Sequence, residues 1–196
     1  MTEYAYQCKE LAEIWPSSEC TLRVIMVKVP GETRFAQKEW KCIVSYARFG
    51  TSVSGGASNL SSGGIGVGFD FETGKFHDFG IRYKRFCPDG EWKCIEHPDT
   101  KVRWQNAGLP NWTFIKKKLE HVCSHISSLD YLGFDVIITP DGLKLCEINT
   151  HPAADYEQVM CGSILSSEDA RKFFASKGLF EIDANEFYNL YMQSQM

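Results

Sequence analysis

Residues 134–152 read FDVIITPDGLKLCEINTHP. Two alternating apolar runs flank Pro140-Asp141-Gly142. Pro suits the first corner of a type I turn, and Gly suits a following left-handed position. That combination predicts a hairpin with a three-residue loop. Such a loop pairs Thr139 with Leu143 and so brings Asp135 opposite Glu147. Side chains alternate along a strand, so Glu147 and Asn149 share a face with Asp135. Two facing carboxylates repel unless something positive lies between them. Two carboxylates and an amide oxygen also make a good cage for Mg²⁺, which favours carboxylates together with substrate phosphates. The alternative is an outer face that is simply acidic and solvated. Everything turns on register, because a plain two-residue loop sends Asp135 and Glu147 to opposite faces.

The rest of the composition narrows the class. The 196 residues and 22.3 kDa suit one domain, or one with a small appendage. An apolar content of 43% is enough for a core, and a net charge of −4 argues against non-specific nucleic-acid binding. No apolar run approaches the ~18 residues needed to span a bilayer. The first residues, MTEYAYQCKELAE, lack the basic and apolar regions of a signal peptide. A cytoplasmic protein is therefore expected. It carries eight cysteines and no CxxC pair, so reduced thiols are expected rather than a disulfide framework. Cys42 and Cys146 fall in apolar strands, where cysteine acts as a small hydrophobe.

Along the chain, residues 3–8 form a short candidate strand. Residues 21–29, TLRVIMVKV, and 40–49, WKCIVSYARF, read as strands bearing Arg23 and Arg48 among apolar neighbours. Residues 50–62 are small and polar and read as a loop. Residues 63–71, GGIGVGFDF, alternate Gly with larger residues, so one strand face is bare and something must approach it closely. A packed helix or strand is the commoner occupant, a ligand the other. Residues 75–83 complete a second hairpin, and 85–100 form an excursion with a small β-ribbon. Residues 112–131 read as an amphipathic helix from Ile115, Leu119, Val122, Ile126 and Leu129. It carries His121 and His125 four apart, but without the glutamate of a HExxH zinc motif. Residues 155–162, 167–176 and 185–193 read as further helices. The class is α+β, a mainly antiparallel sheet of hairpins packed against helices.

Several pieces then occur in a recognisable order. They are Thr21-Leu22-Arg23, Ala47-Arg48-Phe49-Gly50, Asn59 followed by Gly63-Gly64, and His97-Pro98-Asp99-Thr100. Leu109-Pro110-Asn111-Trp112, Gly133-Phe134-Asp135 and Glu147-Ile148-Asn149 follow. This order resembles the C-terminal part of an ATP-grasp carboxylate–amine ligase, nearest the sugar-transfer-associated and α-L-glutamate-ligase-related branch. The resemblance covers residues 1–165 and leaves 166–196 as a helical appendage.

The resemblance implies an ATP- and Mg²⁺- (or Mn²⁺-) dependent ligase acting through an acyl phosphate on small-molecule carboxylate and amine substrates. The setting it suggests is the modification of cell-surface polysaccharide or peptide. Residues matching the family's metal ligands are Asp135, Glu147 and Asn149. Those matching its catalytic arginines are Arg23 and Arg48. Glu3 matches the glutamate beside adenine and ribose, and Asn59, Gly63 and Gly64 match residues close to phosphate or substrate. His151, Asp155 and Gln158, just past the metal strand, are candidates to touch the acceptor. The resemblance also implies a preceding lobe that clamps the nucleotide, for which the sequence leaves no room. A partner lobe or a homo-oligomer is the expected complement. The competing reading is a non-catalytic module that binds metal or a partner through the same sheet.

Overall fold

The computed structural model describes residues 4–31, 33, 37–87, 90–153 and 157–179. Among these described residues seven strands form one antiparallel sheet: β1 (Thr21–Val29), β2 (Glu39–Phe49), β3 (Ile65–Phe69), β4 (Phe76–Ile81), β5 (Lys93–Cys94), β6 (Tyr131–Thr139) and β7 (Gly142–Asn149). Their order is β5-β4-β3-β2-β1-β6-β7. All adjacent pairs are antiparallel. Strand β1 joins the β2–β4 side to the β6–β7 hairpin, although more than a hundred residues separate Arg23 from its cross-strand neighbour Asp135.

Each face has its own helices. On one, α1 (Lys9–Ile14) and α2 (Trp112–His125) cover Leu22, Val24, Ala47, Phe49, Val67, Phe134 and Val136. α2 buries Trp112, Ile115, Leu119 and Cys123, the 3.6-residue stripe its sequence carries. Burying each such large apolar side chain stabilises the fold by roughly 1.5–3 kcal/mol. On the opposite face, α3 (Glu157–Cys161) and α4 (Glu168–Ser176) cover Ile25, Val44 and Tyr46. Ser167 caps α4, its hydroxyl accepting from the Ala170 amide. Phe173 of α4 packs with Val27 and Val29 of β1, so this part of the 166–196 segment lies directly on the sheet. Among the described residues no helix is long and apolar enough to cross a membrane.

The central hairpin reaches its pairing by another route than the three-residue loop. Thr139 pairs with Gly142, leaving only Pro140 and Asp141 in the loop. That register alone would separate Asp135 from Glu147. A one-residue bulge at Cys146 restores it: Val136 pairs with Leu145, and Asp135 then pairs with Glu147. The bulge lies on the edge strand, so Cys146 is exposed rather than an apolar filler. None of the eight cysteines, all among the described residues, is in a disulfide.

Three other expectations are corrected. α2 ends at His125, not 131, because Lys28 of β1 donates to the carbonyls of Ile126, Ser127 and Leu129 and takes up the end of the helix. Residues 4–8 are not a strand; they lead into α1, which the sequence reading missed, with the Cys8 amide bonded to the Ile138 carbonyl. The predicted helix over 155–162 ends one residue early, at Cys161; it is described from Glu157, with 154–156 outside the described residues. The segment 185–193 also lies outside them. The bare face of β3 is filled by a helix and by the neighbouring strand: a β-carbon on Gly66 would lie 2.2 Å from Met160 Sδ, and one on Gly68 would lie 2.4 Å from His77 Nδ1 and 3.2 Å from the Met160 carbonyl.

Candidate functional site

Sheet register lines up one row of residues across five strands: Gly68 on β3, Tyr46 on β2, Arg23 on β1, Asp135 on β6 and Glu147 on β7. Residues paired across neighbouring strands point to the same face. Two positions along, Arg48 stands between Gly66 and Thr21 on that same face. The face is the one carrying α3. Glycines 66 and 68 keep the β3 end of both rows low enough for Met160 to cross.

The centre of the row is an ion triad. Arg23 grips Asp135 with two bonds, Nε to Oδ1 at 2.5 Å and Nη2 to Oδ2 at 3.0 Å. Arg48 Nη2 reaches the same Oδ1 at 3.1 Å. Asp135 and Arg48 are buried. Burial works against the charge of Arg23, but the hydrogen bonds and charge of Asp135 outweigh it and hold the guanidinium's pKa above its ordinary value. Paired guanidiniums answer the question raised by two facing carboxylates: the positive groups sit beside Asp135.

Arg48 also ties the site to the loop after β2. Its Nε donates to Thr21 Oγ1 at 2.9 Å and its Nη1 to Asn59 Oδ1 at 3.4 Å, while Thr21 Oγ1 lies 3.0 Å from Ser58 Oγ. The loop's own glycines shape it. Gly63 has φ of 104°, a conformation that favours glycine. A β-carbon on Gly64 would meet the Ser58 carbonyl at 2.5 Å and the Phe49 carbonyl at 2.8 Å. The amides of Gly63 and Gly64 donate to the carbonyls of Leu60 and Asn59. Both glycines thus build the loop that presents Asn59, and their amides are spent inside it.

The motif His97-Pro98-Asp99-Thr100 anchors this loop from behind. His97 is fully buried, stacked on Trp15 and bonded through Nε2 to the Gly50 carbonyl at 2.9 Å. Its Nδ1 accepts from the amides of Asp99 and Thr100, so Nε2 carries the proton. Asp99 accepts from the amide and hydroxyl of Ser52. Burial lowers the His97 pKa below its ordinary 6.5. The unfolded chain then takes up a proton that the fold refuses, so stability should be constant above about pH 6.5 and fall as pH drops from there toward the folded pKa. Urea midpoints measured between pH 5 and 8 check this; the slope in that window should vanish in His97→Gln, and a slope that survives would exclude His97 as its source.

At the β7 end, the side chains of Glu147, which is exposed, and Asn149 make no hydrogen bond or ion pair among the described residues. Among these residues no group of three or more His, Cys, Asp or Glu is placed to hold a metal ion. The expected set instead combines two carboxylates with an amide. Three of the roughly four acceptor positions of Asp135 are taken by arginine, leaving one on Oδ2. A set of hard oxygen donors with one shared and one unshared carboxylate has the chemistry that Mg²⁺ or Mn²⁺ takes, and Glu147 is its exposed member. His121 and His125, 4.5 Å apart between ring centres, lie exposed on α2.

Beyond Arg48 the row enters a cleft of about 230 Å³ lined by Tyr46, Arg48, Asn59, Tyr83, Glu157 and Met160, among others. Tyr46 donates to Glu157 Oε1 at 3.0 Å. Burial first, then the Glu157 charge, push the Tyr46 phenol's pKa well up. Sequence reasoning named neither residue. Strand alternation, which puts Tyr46 on the face of Arg48, was the available signal; Glu157 had none. Of the residues proposed to touch an acceptor, Gln158 bonds the Ile164 amide and His151 sits exposed beside Thr150. Asp155 and Glu3 lie outside the described residues.

A model of the family described as sugar-transfer associated ATP-grasp matches residues 1–172. No curated protein matches the chain.

Proposed function

The chain belongs to the sugar-transfer associated ATP-grasp family, and from that premise we propose that it works as a carboxylate–amine ligase, activating a small carboxylate as its acyl phosphate. Family membership points to ATP-dependent ligase-type chemistry; the particular reaction is our reading. The observation that carries it is the row Arg23–Asp135–Glu147 with Arg48 beside it, two guanidiniums and an open carboxylate on one face. Arg23 is held rigidly by both oxygens of Asp135, so it is pre-organised and costs little reorganisation when charge develops in front of it. Arg48 has donors left beyond Thr21, Asn59 and Asp135 and would hold the oxygens of a transferring phosphoryl group. Asn59 is carried against Arg48 by the loop that Gly63 and Gly64 shape. Glu147, Asn149 and the remaining position on Asp135 would hold Mg²⁺ or Mn²⁺. When bound, the metal neutralises phosphate charge and orients in-line transfer.

All these groups reach from one sheet face, consistent with the C-terminal lobe of an ATP-grasp domain. A second wall, from a nucleotide-clamping lobe or another copy, would cover the phosphates and exclude water. With that side open, each charge contact is worth roughly 1 kcal/mol at 4 Å. The 196-residue chain by itself should therefore bind Mn²⁺ more tightly with ATP than without, as read by water-proton relaxation, yet release no ADP when offered carboxylates and amines. No ATP effect on Mn²⁺ binding would overturn the ligase reading. Substrate-dependent ADP release would overturn the one-wall reading and mean that the chain completes its own site.

A further inference from the structure

Glu157, which lines the cleft beyond Arg48, has a buried polar atom with no described partner. Glu157 is 5% exposed; its Oε1 takes the Tyr46 hydroxyl, and its Oε2 is buried without a hydrogen bond. A buried carboxylate oxygen left unbonded is costly, on the order of 1–3 kcal/mol or more for a charged group. Few native side chains tolerate this without a ligand or ion to answer it. Glu157 lines the cleft together with Arg48 and Asn59, the residues that face the reacting phosphate in the ligase reading.

We propose that this cleft is the acceptor subsite, and that it takes a primary amine whose ammonium group bonds Glu157 Oε2. The proposal rests on the ligase reading for its place in the reaction, but on Glu157 for its chemistry. An anion is disfavoured by the carboxylate. A divalent cation would want about six oxygens, carboxylates among them, whereas Glu157 is the one carboxylate among the lining residues, beside the neutral side chains of Tyr46, Asn59, Ser61 and Tyr83 and the apolar walls of Leu60 and Met160. An ammonium has three donors and needs few partners. Oε2 supplies one acceptor, and the Tyr46 oxygen, which donates its own proton to Oε1, supplies a second. The volume of about 230 Å³ suits a small amine or the amino end of a longer one. Arg48 on the adjoining wall puts that amine next to the guanidinium that holds the activated carboxylate.

The test uses the full chain labelled at tyrosine ring carbons, with methylammonium, ethanolammonium and glycine as probes and tetramethylammonium as the control at equal ionic strength. Tyr46 resonances, assigned with Tyr46→Phe, should shift saturably with the primary amines and not with the control. Glu157→Gln should weaken that binding at least ten-fold; Glu157→Asp, with its shorter reach, should weaken it too and serves if the first variant does not fold. Unchanged affinity in both variants, an equal response to tetramethylammonium, or no saturable shift with any amine overturns the proposal. The ligase reading fails separately. Loss of ATP-dependent Mn²⁺ binding with amine binding intact would leave an amine site on a protein that is no ligase.

Discussion

Replacing Asp135 by Asn should cost the fold roughly 3–5 kcal/mol, the usual penalty for removing one partner of a buried ion pair. Asn keeps the shape of Asp but not the charge. Two guanidiniums, Arg23 and Arg48, would then meet around a neutral amide with 10–14% of their side chains exposed, too little for water to replace the lost carboxylate. Against a typical total stability of about 5–15 kcal/mol, that is a large share. Urea unfolding reads it directly, as a fall in midpoint with an unchanged slope. Arg23→Gln in the Asp135→Asn background should recover part of the loss, since it removes one of the opposed cations; a double-mutant cycle would give the coupling. A single variant within about 0.5 kcal/mol of the parent, the range of ordinary surface changes, would show that the triad is not what holds β1 to β6 at this row.

Glu147→Gln should behave in the opposite sense. Glu147 sits on the edge strand β7, exposed, with no partner among the described residues, and directly opposite Asp135. Like charges facing across strands destabilise a sheet, so removing one should leave the urea midpoint unchanged or slightly raised. Metal binding should suffer heavily. Outer-shell partners alone are worth 10–100-fold in metal affinity, so loss of a direct carboxylate should weaken Mn²⁺ in the presence of ATP by on the order of 100-fold or more. Relaxation titrations on both proteins measure it. An affinity equal to the parent's would remove Glu147 from the metal site, and a destabilised variant would assign it a structural role instead. The two carboxylates are cross-strand neighbours, yet the structure gives them separate work: Asp135 holds the arginines, and Glu147 is left free.

Much of this was legible in the chain itself. Side-chain alternation put Glu147 and Asn149 on one face, and the paired runs around Pro140 brought Asp135 opposite Glu147, as the sheet has it. The 3.6-residue stripe of α2 and the bare glycine face of β3 could likewise be read, because periodicity is a local property of a strand or helix. The order of motifs carried the family. Details that depend on long-range contacts were not legible. The two-residue loop and the bulge at Cys146 replaced the three-residue loop, two departures that cancel in register and so leave no trace in the pattern. The end of α2 was decided by Lys28, almost a hundred residues away in sequence. Arg23, Arg48 and Asp135 were each visible as candidates, but their union in one triad required β1 to lie between β2 and β6. Glu157 shows the limit most plainly. Nothing around it in sequence distinguishes it from a surface glutamate. It becomes a buried, half-bonded carboxylate because Met160, four-fifths of a helical turn on, seats against Gly66 and Gly68 and draws α3 down beside Tyr46.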